Sequence, residues 1–430
     1  MEWYFLFIIA VVLLMVGVPV AFAFGGAAIL YAFFTPEIGL DALSFLPSRI
    51  YGTMQNFTLL AIPLFVFMGL VLEKSGIARR LLEISGKLFG RLRGGLGVSV
   101  VLIGALLAAS TGVIAASVLL MSIVALPSML EAKYNKSFSA GIITSSATLG
   151  QIIPPSIILI LLAEVLQVGA GELFKSALIP GFILVGVYIL YILIVSNIFK
   201  SYAPPIEVEE SARELVFVFL KYLLPPVLLV FAVLGSIFLG IASPTESAAV
   251  GALGAVALSL LDRSFSFSIL KHASFETAKY SAMIMAVLIG ASAFSLVFNQ
   301  SDGVHIIFNF FDNTLESQIA FILFVMLIIF ILGFFLDFIE IVFVFVPIFL
   351  PLLSHFDVNP IWFGVLIALN LQTSFLTPPF GFALFFLKSA AGDRLKTLEI
   401  YKGVIPFILL QLVVLAMIIF FPEIILGGSR

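Results

Sequence analysis

The stretch "TLGQIIPPSIILILL", residues 148–162, places Pro154 and Pro155 in the middle of a long apolar run. Proline in a helix interior removes a backbone donor and clashes with the preceding turn, at a cost of about 3 kcal/mol or more. The chain repeats this feature in "LQTSFLTPPFGFALFFL", residues 371–387, with Pro378 and Pro379. The two stretches therefore predict two helices that are interrupted at membrane depth.

The composition is that of an integral membrane protein. Of the 430 residues, 62% are hydrophobic and 10% are charged, whereas soluble domains contain ~25% charged residues. Apolar runs of roughly 20 residues, the length of a membrane-spanning helix, recur along the chain. Runs such as 176–199 and 403–422 are continuous rather than alternating, which excludes a β-barrel. The first residues lack the basic start of a signal peptide and predict a first span.

Several function classes are disfavoured by what the sequence lacks. It contains no cysteine, so it has no disulfide, thiol nucleophile or thiolate metal site. Its three histidines share no ligand spacing, and no HExxH motif is present, which argues against an enzyme. The sequence has no polybasic run that would indicate nucleic acid as a partner. The net charge of −3 does not discriminate between function classes.

An internal repeat is visible when the sequence is compared with itself. Five glycine or proline landmarks recur in the same order at offsets of 223 to 227 residues, which indicates a duplicated unit. The matching pairs are Pro19 with Pro244, Gly76 with Gly303, Gly141 with Gly364, Pro154 with Pro378, and Pro180 with Pro406.

The two repeats are predicted to be inverted. Lys and Arg in short loops mark the cytoplasmic side. Segment 74–95 holds six basic residues and its counterpart 301–318 holds none, whereas 388–402 holds four and its counterpart 163–175 is poor in them. Loops 74–95 and 131–138 are both basic, so the apolar stretch between them must enter and leave on one side as a re-entrant hairpin.

We therefore predict an all-α polytopic protein of two inverted repeats. Each has about five spans, a re-entrant hairpin and a helix broken at Pro-Pro. The first repeat covers 1–199, a cytoplasmic linker covers 200–214, and the second repeat covers 215–430. Hairpin one is expected at about 96–130 and hairpin two at about 317–353. The broken helices are expected at about 139–163 and 361–387.

Paired interrupted helices in inverted repeats indicate the binding site of a transporter. The residue before proline is driven toward extended geometry, so Ile153 and Thr377 should leave the helix. New half-helices are expected near Pro155 and Pro379, with amide ends that favour anions. Free carbonyls on the preceding half-helices can hold Na⁺.

The hairpin tips are expected to complete the site. Hairpin one has Ser110, Thr111 and Gly112 at its predicted tip, and hairpin two has Gly333 and Asp337. A carboxylate within the membrane is costly, so Asp337 is interpreted as functional. Glu340, one turn further on, is interpreted as a structural or rim residue. The hairpins and broken helices contain no Lys or Arg, so helix ends, hydroxyls and bound Na⁺ would have to hold an anionic substrate.

The motifs "TLGQIIPPSI", "ASPTESAAV", "FFLDFIE" and "LNLQTSFLTPPFGFALFFL" resemble the large membrane subunit of tripartite ATP-independent periplasmic (TRAP) transporters, nearly end to end. The resemblance implies an elevator-type, Na⁺-coupled importer of organic acids in the bacterial cytoplasmic (inner) membrane, in contact with lipid. It also implies a small four-helix membrane subunit, expected as a separate polypeptide, and a periplasmic substrate-binding protein. A first hairpin tip without an acid, "ASTGVIAAS", departs from sialic-acid members and favours a smaller acid. The stretch "LQTSFLTPPFGFALFFLK" is more similar to members associated with 2-oxo acids, lactate or similar acids.

The resemblance places at least two Na⁺ sites on residues of both repeats. The predicted ion ligands are Ser110, Thr111, Gly112, Gly150 and Pro154 in the first repeat, and Gly333, Asp337, Thr373, Thr377 and Pro378 in the second. The predicted substrate contacts are Ser110, Thr111, Gln151, Pro155, Ser156, Gln372, Thr377 and Pro379.

Three other functions remain open at this stage. A stand-alone Na⁺- or H⁺-coupled carboxylate or ion transporter would need no binding protein. A channel would need a charged ring or pore motif, and an intramembrane protease would need a second catalytic group facing the first. Neither of these is evident in the sequence.

Overall fold

A computed structural model describes residues 2–111, 114–206, 208 and 210–427, without the side chains of residues 78, 108–111 and 212. Regular structure in these ranges is helical, and no strand occurs in them. Short 3₁₀ helices cover Leu40–Phe45, Phe57–Leu60, Leu149–Gln151 and Gly392–Arg394, and a π-helix covers Ile341–Phe345. The α-helices are α1 (Tyr4–Met15), α2 (Val20–Phe34), α3 (Leu46–Met54), α4 (Ala61–Lys74), α5 (Ile77–Gly90), α6 (Gly95–Thr111), α7 (Ile114–Glu131), α8 (Lys136–Thr148), α9 (Ile157–Val165), α10 (Ala170–Ile198), α11 (Ala212–Phe238), α12 (Pro244–Leu261), α13 (Phe267–Gln300), α14 (Gly303–Thr314), α15 (Gln318–Leu332), α16 (Phe338–Glu340), α17 (Val346–His355), α18 (Pro360–Leu376), α19 (Phe382–Ala391), α20 (Thr397–Phe420) and α21 (Glu423–Leu426).

The all-α polytopic architecture is confirmed. Within the described ranges, 8 helices are long and apolar enough to cross a membrane, and shorter apolar helices of 10–17 residues accompany them. Large apolar side chains such as Phe217, Phe231 and Leu253 remain exposed on the outer surfaces of α11 and α12. A surface of this kind suits a hydrocarbon solvent, in which apolar side chains need no burial inside the protein.

The helices follow the same order in the two halves of the chain. Helices α6, α8, α9 and α10 have counterparts in α15, α18, α19 and α20 at nearly constant sequence offset. The packing follows this order as well. Helix α2 packs on α13, and its counterpart α12 packs on α4. The inverted sense of the halves and their domain boundaries stay predictions.

One close helix contact requires glycine. Helix α8 packs along α20, and a Cβ added to Gly141 would overlap the carbonyl oxygen of Gly403. A Cβ added to Gly403 would in turn overlap the carbonyl oxygen of Ser137. Small residues allow backbones to approach in this way where no hydrophobic effect drives helices together.

Two buried side-chain hydrogen bonds join the halves. Gln411 Nε2 donates to the Tyr188 hydroxyl at 2.6 Å, and Gln372 Nε2 donates to Thr148 Oγ1 at 3.4 Å. The partners lie 223 and 224 residues apart, the same offset as the repeated landmarks. Each bond therefore joins equivalent positions of the two halves.

Tyr188→Phe is expected to destabilise the protein by about 1–3 kcal/mol, because it leaves the buried Gln411 amide without its partner. Replacing both partners by apolar groups can be nearly neutral, so Tyr188→Phe combined with Gln411→Leu should recover most of the loss. Thermal unfolding of the detergent-solubilised protein measures the stability of the single and of the double variant. A double variant less stable than the single one would contradict this interpretation.

The polar linker is tied to helix α5. Lys87 forms an ion pair with Glu210, and Arg91 donates to the Glu210 carbonyl at 2.6 Å. The hydrogen bond from Lys87 holds the pKa of the exposed Glu210 carboxyl below its usual range. Helix α11 begins at Ala212, near the end of the range 200–214, and the bounds of the linker stay predictions.

Candidate functional site

The first broken helix is closed by a serine. After α8 and a 3₁₀ turn the chain leaves the helix through Ile153, as expected. Ser156 Oγ donates to the carbonyl of Gln151 at 2.7 Å and accepts from the amide of Leu159 at 3.5 Å. Ser156 is therefore the N-cap, and α9 starts two residues beyond Pro155 rather than at it. The half-helix begins near Pro155, as predicted, and the offset of two residues arises because an extended capping residue precedes the first helical turn.

The second half-helix begins without a side-chain cap. Thr377 is extended, with φ −85° and ψ 121°, as expected. The amide of Gly381 donates to the carbonyl of Thr377 at 3.0 Å, and a Cβ at Gly381 would lie 2.6 Å from the carbonyl oxygen of Phe375. Helix α19 starts at Phe382, three residues beyond Pro379, because the chain needs this glycine turn first. In both broken helices the bond between the prolines is cis.

The two breaks differ in exposure. Pro154 and Pro155 are buried, whereas Pro379 and Phe380 are exposed. The carbonyl of Pro379 accepts a hydrogen bond from the Tyr401 hydroxyl at 3.1 Å. The similar sequences of the breaks therefore do not give them equivalent surroundings.

A cavity of about 250 Å³ lies where the hairpins meet the half-helices. Its wall includes Ile114 and Ala115 from hairpin one and residues 337–339 from hairpin two. Ile157 and Phe382, the first residues of α9 and α19, also line it. We call this space the central cavity. Four elements that are distant in sequence, two hairpins and two half-helices, converge on it.

Helices α4 and α13 also line the central cavity. Val66 lies on α4, and Tyr280, Met283 and Ile284 lie on α13. The spacing of the α13 residues puts them on one face of that helix. Tyr280 was missed by the sequence analysis, because its position in an apolar run does not reveal which face meets the cavity.

Asp337 is held at the end of hairpin two. Its carboxylate accepts a hydrogen bond from the amide of Phe338 at 2.8 Å and caps the short helix α16. The π-helix follows directly, and π-helices are frequent at functional sites. Glu340 is buried, which leaves the structural interpretation and rules out the rim, and its Oε2 has no hydrogen-bond partner in the described part of the chain.

Two side chains that the sequence analysis missed fasten hairpin two to the second broken helix. Asn370 Nδ2 donates to the carbonyl of Met326 at 2.7 Å, and Ser374 Oγ donates to that of Phe330 at 2.9 Å. These residues lie four apart on α18 and face α15 together. The polar spacing within an apolar run was the available signal.

Two hydroxyl groups near the second break donate to backbone carbonyls and keep lone pairs on their oxygens. Thr373 Oγ1 donates to the carbonyl of Leu369 at 2.9 Å, and Thr377 Oγ1 donates to that of Thr373 at 2.8 Å. A hydroxyl that directs its hydrogen to a carbonyl can still accept through its oxygen. Gly333, also predicted as a ligand, ends α15 beside the Ser374 side chain.

The structure does not bring all predicted site residues into the central cavity. Of those it describes, only Asp337 is in the cavity wall. Gln151 and Gln372 are buried in the core, and neither side-chain atom of Gln151 has a partner there among the described residues. Ser110 and Thr111 end helix α6, but their side chains lie outside the described residues, as does Gly112.

The remaining predicted residues lie within the two breaks. Gly150 belongs to the buried 3₁₀ turn, and Pro154, Pro155 and Ser156 follow it. Pro378 is half-buried. The structure therefore groups the predicted ligands around the breaks and tips, while the cavity wall itself comes mostly from neighbouring apolar residues.

Comparison with known proteins gives a consistent result. A family model described as "Tripartite ATP-independent periplasmic transporter, DctM component" matches residues 7–424. The C4-dicarboxylate TRAP transporter large permease protein DctM of Pseudomonas aeruginosa is 30% identical over 388 residues, covering 90% of each chain. The sialic acid TRAP transporter large permease protein SiaM of Vibrio cholerae is 28% identical over 417 residues, covering 96% of this chain and 94% of that protein.

A solved structure shares the fold. The crystal structure of the Alcanivorax borkumensis YdaH transporter superimposes with a TM-score of 0.64 over 91% of each chain. The sequence identity is 15%, so this likeness concerns the arrangement of helices and not the ligand.

Proposed function

Because the chain belongs to the family of the DctM component of tripartite ATP-independent periplasmic transporters, we propose that it is the large permease of a Na⁺-coupled importer of an organic acid. A permease of this family is a transporter and not an enzyme. The proposed partners are a small four-helix membrane subunit and a periplasmic substrate-binding protein, in the bacterial cytoplasmic membrane.

The observation that carries the proposal is the convergence of both hairpins and both half-helices on the central cavity. The first amides of α9 and α19 have no acceptor inside their helices, and Ile157 and Phe382 place those helix starts at the cavity. Helix starts attract carboxylates. The cavity is therefore suited to receive an anion between the half-helices.

Na⁺ coupling is supported by the charges. Asp337 lines the cavity, and hairpins and broken helices contain no Lys or Arg to balance it or a substrate carboxylate. A carboxylate without a counter-charge is costly in the membrane interior. The proposed ligands of one Na⁺ are Gly333, Asp337, Thr373, Thr377 and Pro378. The proposed ligands of a second are Ser110, Thr111, Gly112, Gly150 and Pro154.

This charge balance accounts for coupling. The empty site carries the charge of Asp337, and adding only the substrate would increase the negative charge. Substrate and Na⁺ together give a more neutral site, which can cross the apolar interior at lower cost. We propose that the elements carrying the site move as an elevator against α4 and α13. Direct substrate contacts from Ser110, Thr111, Gln151, Pro155, Ser156, Gln372, Thr377 and Pro379 stay predictions.

Uptake into proteoliposomes tests the proposal. The permease is reconstituted with its small subunit and binding protein, and radiolabelled carboxylates are offered with and without an inward Na⁺ gradient. Uptake should fall at least about tenfold without Na⁺, because coupling to the gradient supplies more than about 1.4 kcal/mol. It should fall similarly without the binding protein.

The alternative outcomes discriminate between functions. Uptake that needs no binding protein would favour a stand-alone carboxylate carrier. Uptake that ignores Na⁺ but follows a pH gradient would make Asp337 a proton carrier rather than an ion ligand.

A further inference from the structure

The described part of the wall of the central cavity is largely apolar. Among its described lining residues, only Tyr280 and Asp337 have polar side chains, and none carries a positive charge. The remaining lining residues are aliphatic, aromatic or Met. Phe338, Phe382 and Phe386 contribute three phenyl rings.

From this lining we propose that the substrate is a monocarboxylate whose remaining body is apolar, either a branched aliphatic chain or a single ring. This inference rests on the proposed function and specifies the class of acid. The carboxylate would lie toward the helix starts at Ile157 and Phe382, and the body would pack against Phe386, Met283 and Ile284.

A second carboxylate would be poorly accommodated. Na⁺ and the helix starts can compensate one negative charge. In the described lining a second charge would face phenyl and aliphatic groups, and burying an unpaired charge is far more costly than burying a paired one. The described lining therefore disfavours C4-dicarboxylates, although a relative is named for them.

A polyhydroxylated acid meets a similar obstacle. Each buried hydroxyl without a partner costs about 1–3 kcal/mol. The described lining offers one phenol, Tyr280, and one carboxyl, Asp337, for several such hydroxyls. Sugar acids are therefore disfavoured as well.

The volume of the cavity agrees with this class. A cavity of about 150 Å³ lined by Leu, Ile and Phe is large enough for benzene. The central cavity, at about 250 Å³, has additional room for a carboxylate and an ion. A body the size of one ring or one branched chain fits this space.

The test compares four acids on the permease with its small subunit, so that the binding protein does not select among them. Ligand-induced stabilisation against thermal unfolding is titrated in the presence of Na⁺ with 4-methyl-2-oxopentanoate, phenylacetate, succinate and gluconate. The half-saturating concentrations of succinate and gluconate should be at least tenfold higher than those of the two apolar acids. Equal or tighter binding of succinate or gluconate would overturn the inference.

Two neighbouring phenylalanines supply a matched pair of variants. Phe386→Ala removes a ring from the cavity and should raise the half-saturating concentration of 4-methyl-2-oxopentanoate about tenfold, equivalent to about 1.4 kcal/mol. Phe385→Ala makes the same change on the same helix outside the described cavity lining, where the ring is exposed, and should leave binding unchanged. Equal effects of the two substitutions would contradict the role of the cavity.

Met283→Gln is a second variant, because Met283 is partly exposed and a Gln of similar length should fold. It places an amide in the apolar wall. The ratio of the half-saturating concentration of gluconate to that of 4-methyl-2-oxopentanoate should therefore fall at least threefold. An unchanged difference would contradict the inference. If uptake of every acid proves independent of Na⁺, the proposed function fails, but the order of the four acids still decides the substrate class.

Discussion

Asp337→Asn is expected to lower Na⁺-driven uptake at least about 100-fold while leaving the protein folded. The amide keeps the oxygen that caps α16 at the amide of Phe338, so the local structure should persist. It removes the only charge of the described cavity lining. A hundredfold loss corresponds to about 2.7 kcal/mol, which is within the range expected when a buried hydrogen-bonded charge loses its partner.

The matched control for this variant is Glu246→Gln. Glu246 is also an acid at a helix start, and its Oε2 accepts from the amide of Ser243 at 2.7 Å. It is exposed and lies outside the described cavity lining, so its neutralisation should leave Na⁺-driven uptake nearly unchanged. Initial rates are measured over a range of Na⁺ concentrations. An Asp337→Asn protein with the Na⁺ dependence of the wild type would exclude Asp337 as an ion ligand.

Gly403→Ala is expected to give the largest loss of stability, about 3 kcal/mol, with a fall of about 3 °C in the midpoint of thermal unfolding of a chain of this length. The new Cβ would overlap the carbonyl oxygen of Ser137 on the facing helix, and backbone cannot rotate out of the way as a side chain can. Helices α8 and α20 would have to separate along their shared contact. Some of the protein should therefore fail to fold.

Gly186→Ala is the corresponding control, since nothing lies within 4 Å of a Cβ added there. Gly186 is inside helix α10, where Ala is favoured over Gly by up to about 1 kcal/mol. This variant should be as stable as the wild type or more so. If Gly403→Ala and Gly186→Ala unfold at the same temperature, the two backbones do not approach as closely as described.

The membrane class, the all-α architecture and the family were predictable from the sequence. These features follow from local physical chemistry, since apolar runs of sufficient length span a bilayer and consecutive prolines interrupt a helix. The departure of Ile153 and Thr377 from helical structure is confirmed for the same reason. Asp337 was singled out because a carboxylate in an apolar run is costly wherever it is placed.

The starts of the half-helices were not predictable in detail. Ser156 caps α9 through its side chain, whereas Gly381 continues the second break through its backbone. The two breaks resemble each other in sequence near their prolines, but different capping solutions shift the helix starts by two and three residues. Such differences depend on the atoms that surround each turn.

The sequence by itself determined that this protein is a helical membrane transporter with two broken helices. It also identified Asp337 as an acid within an apolar, membrane-embedded segment. Only the tertiary structure decided which side chains line the central cavity. Tyr280 and Met283 reach it from α13, and Ile114 and Phe382 reach it from a hairpin and a half-helix. Hydropathy and proline act on neighbouring residues along the chain, whereas a cavity wall is produced by packing between segments far apart in sequence. For that reason the apolar lining, on which the proposed substrate class depends, could be recognised only once the helices were assembled.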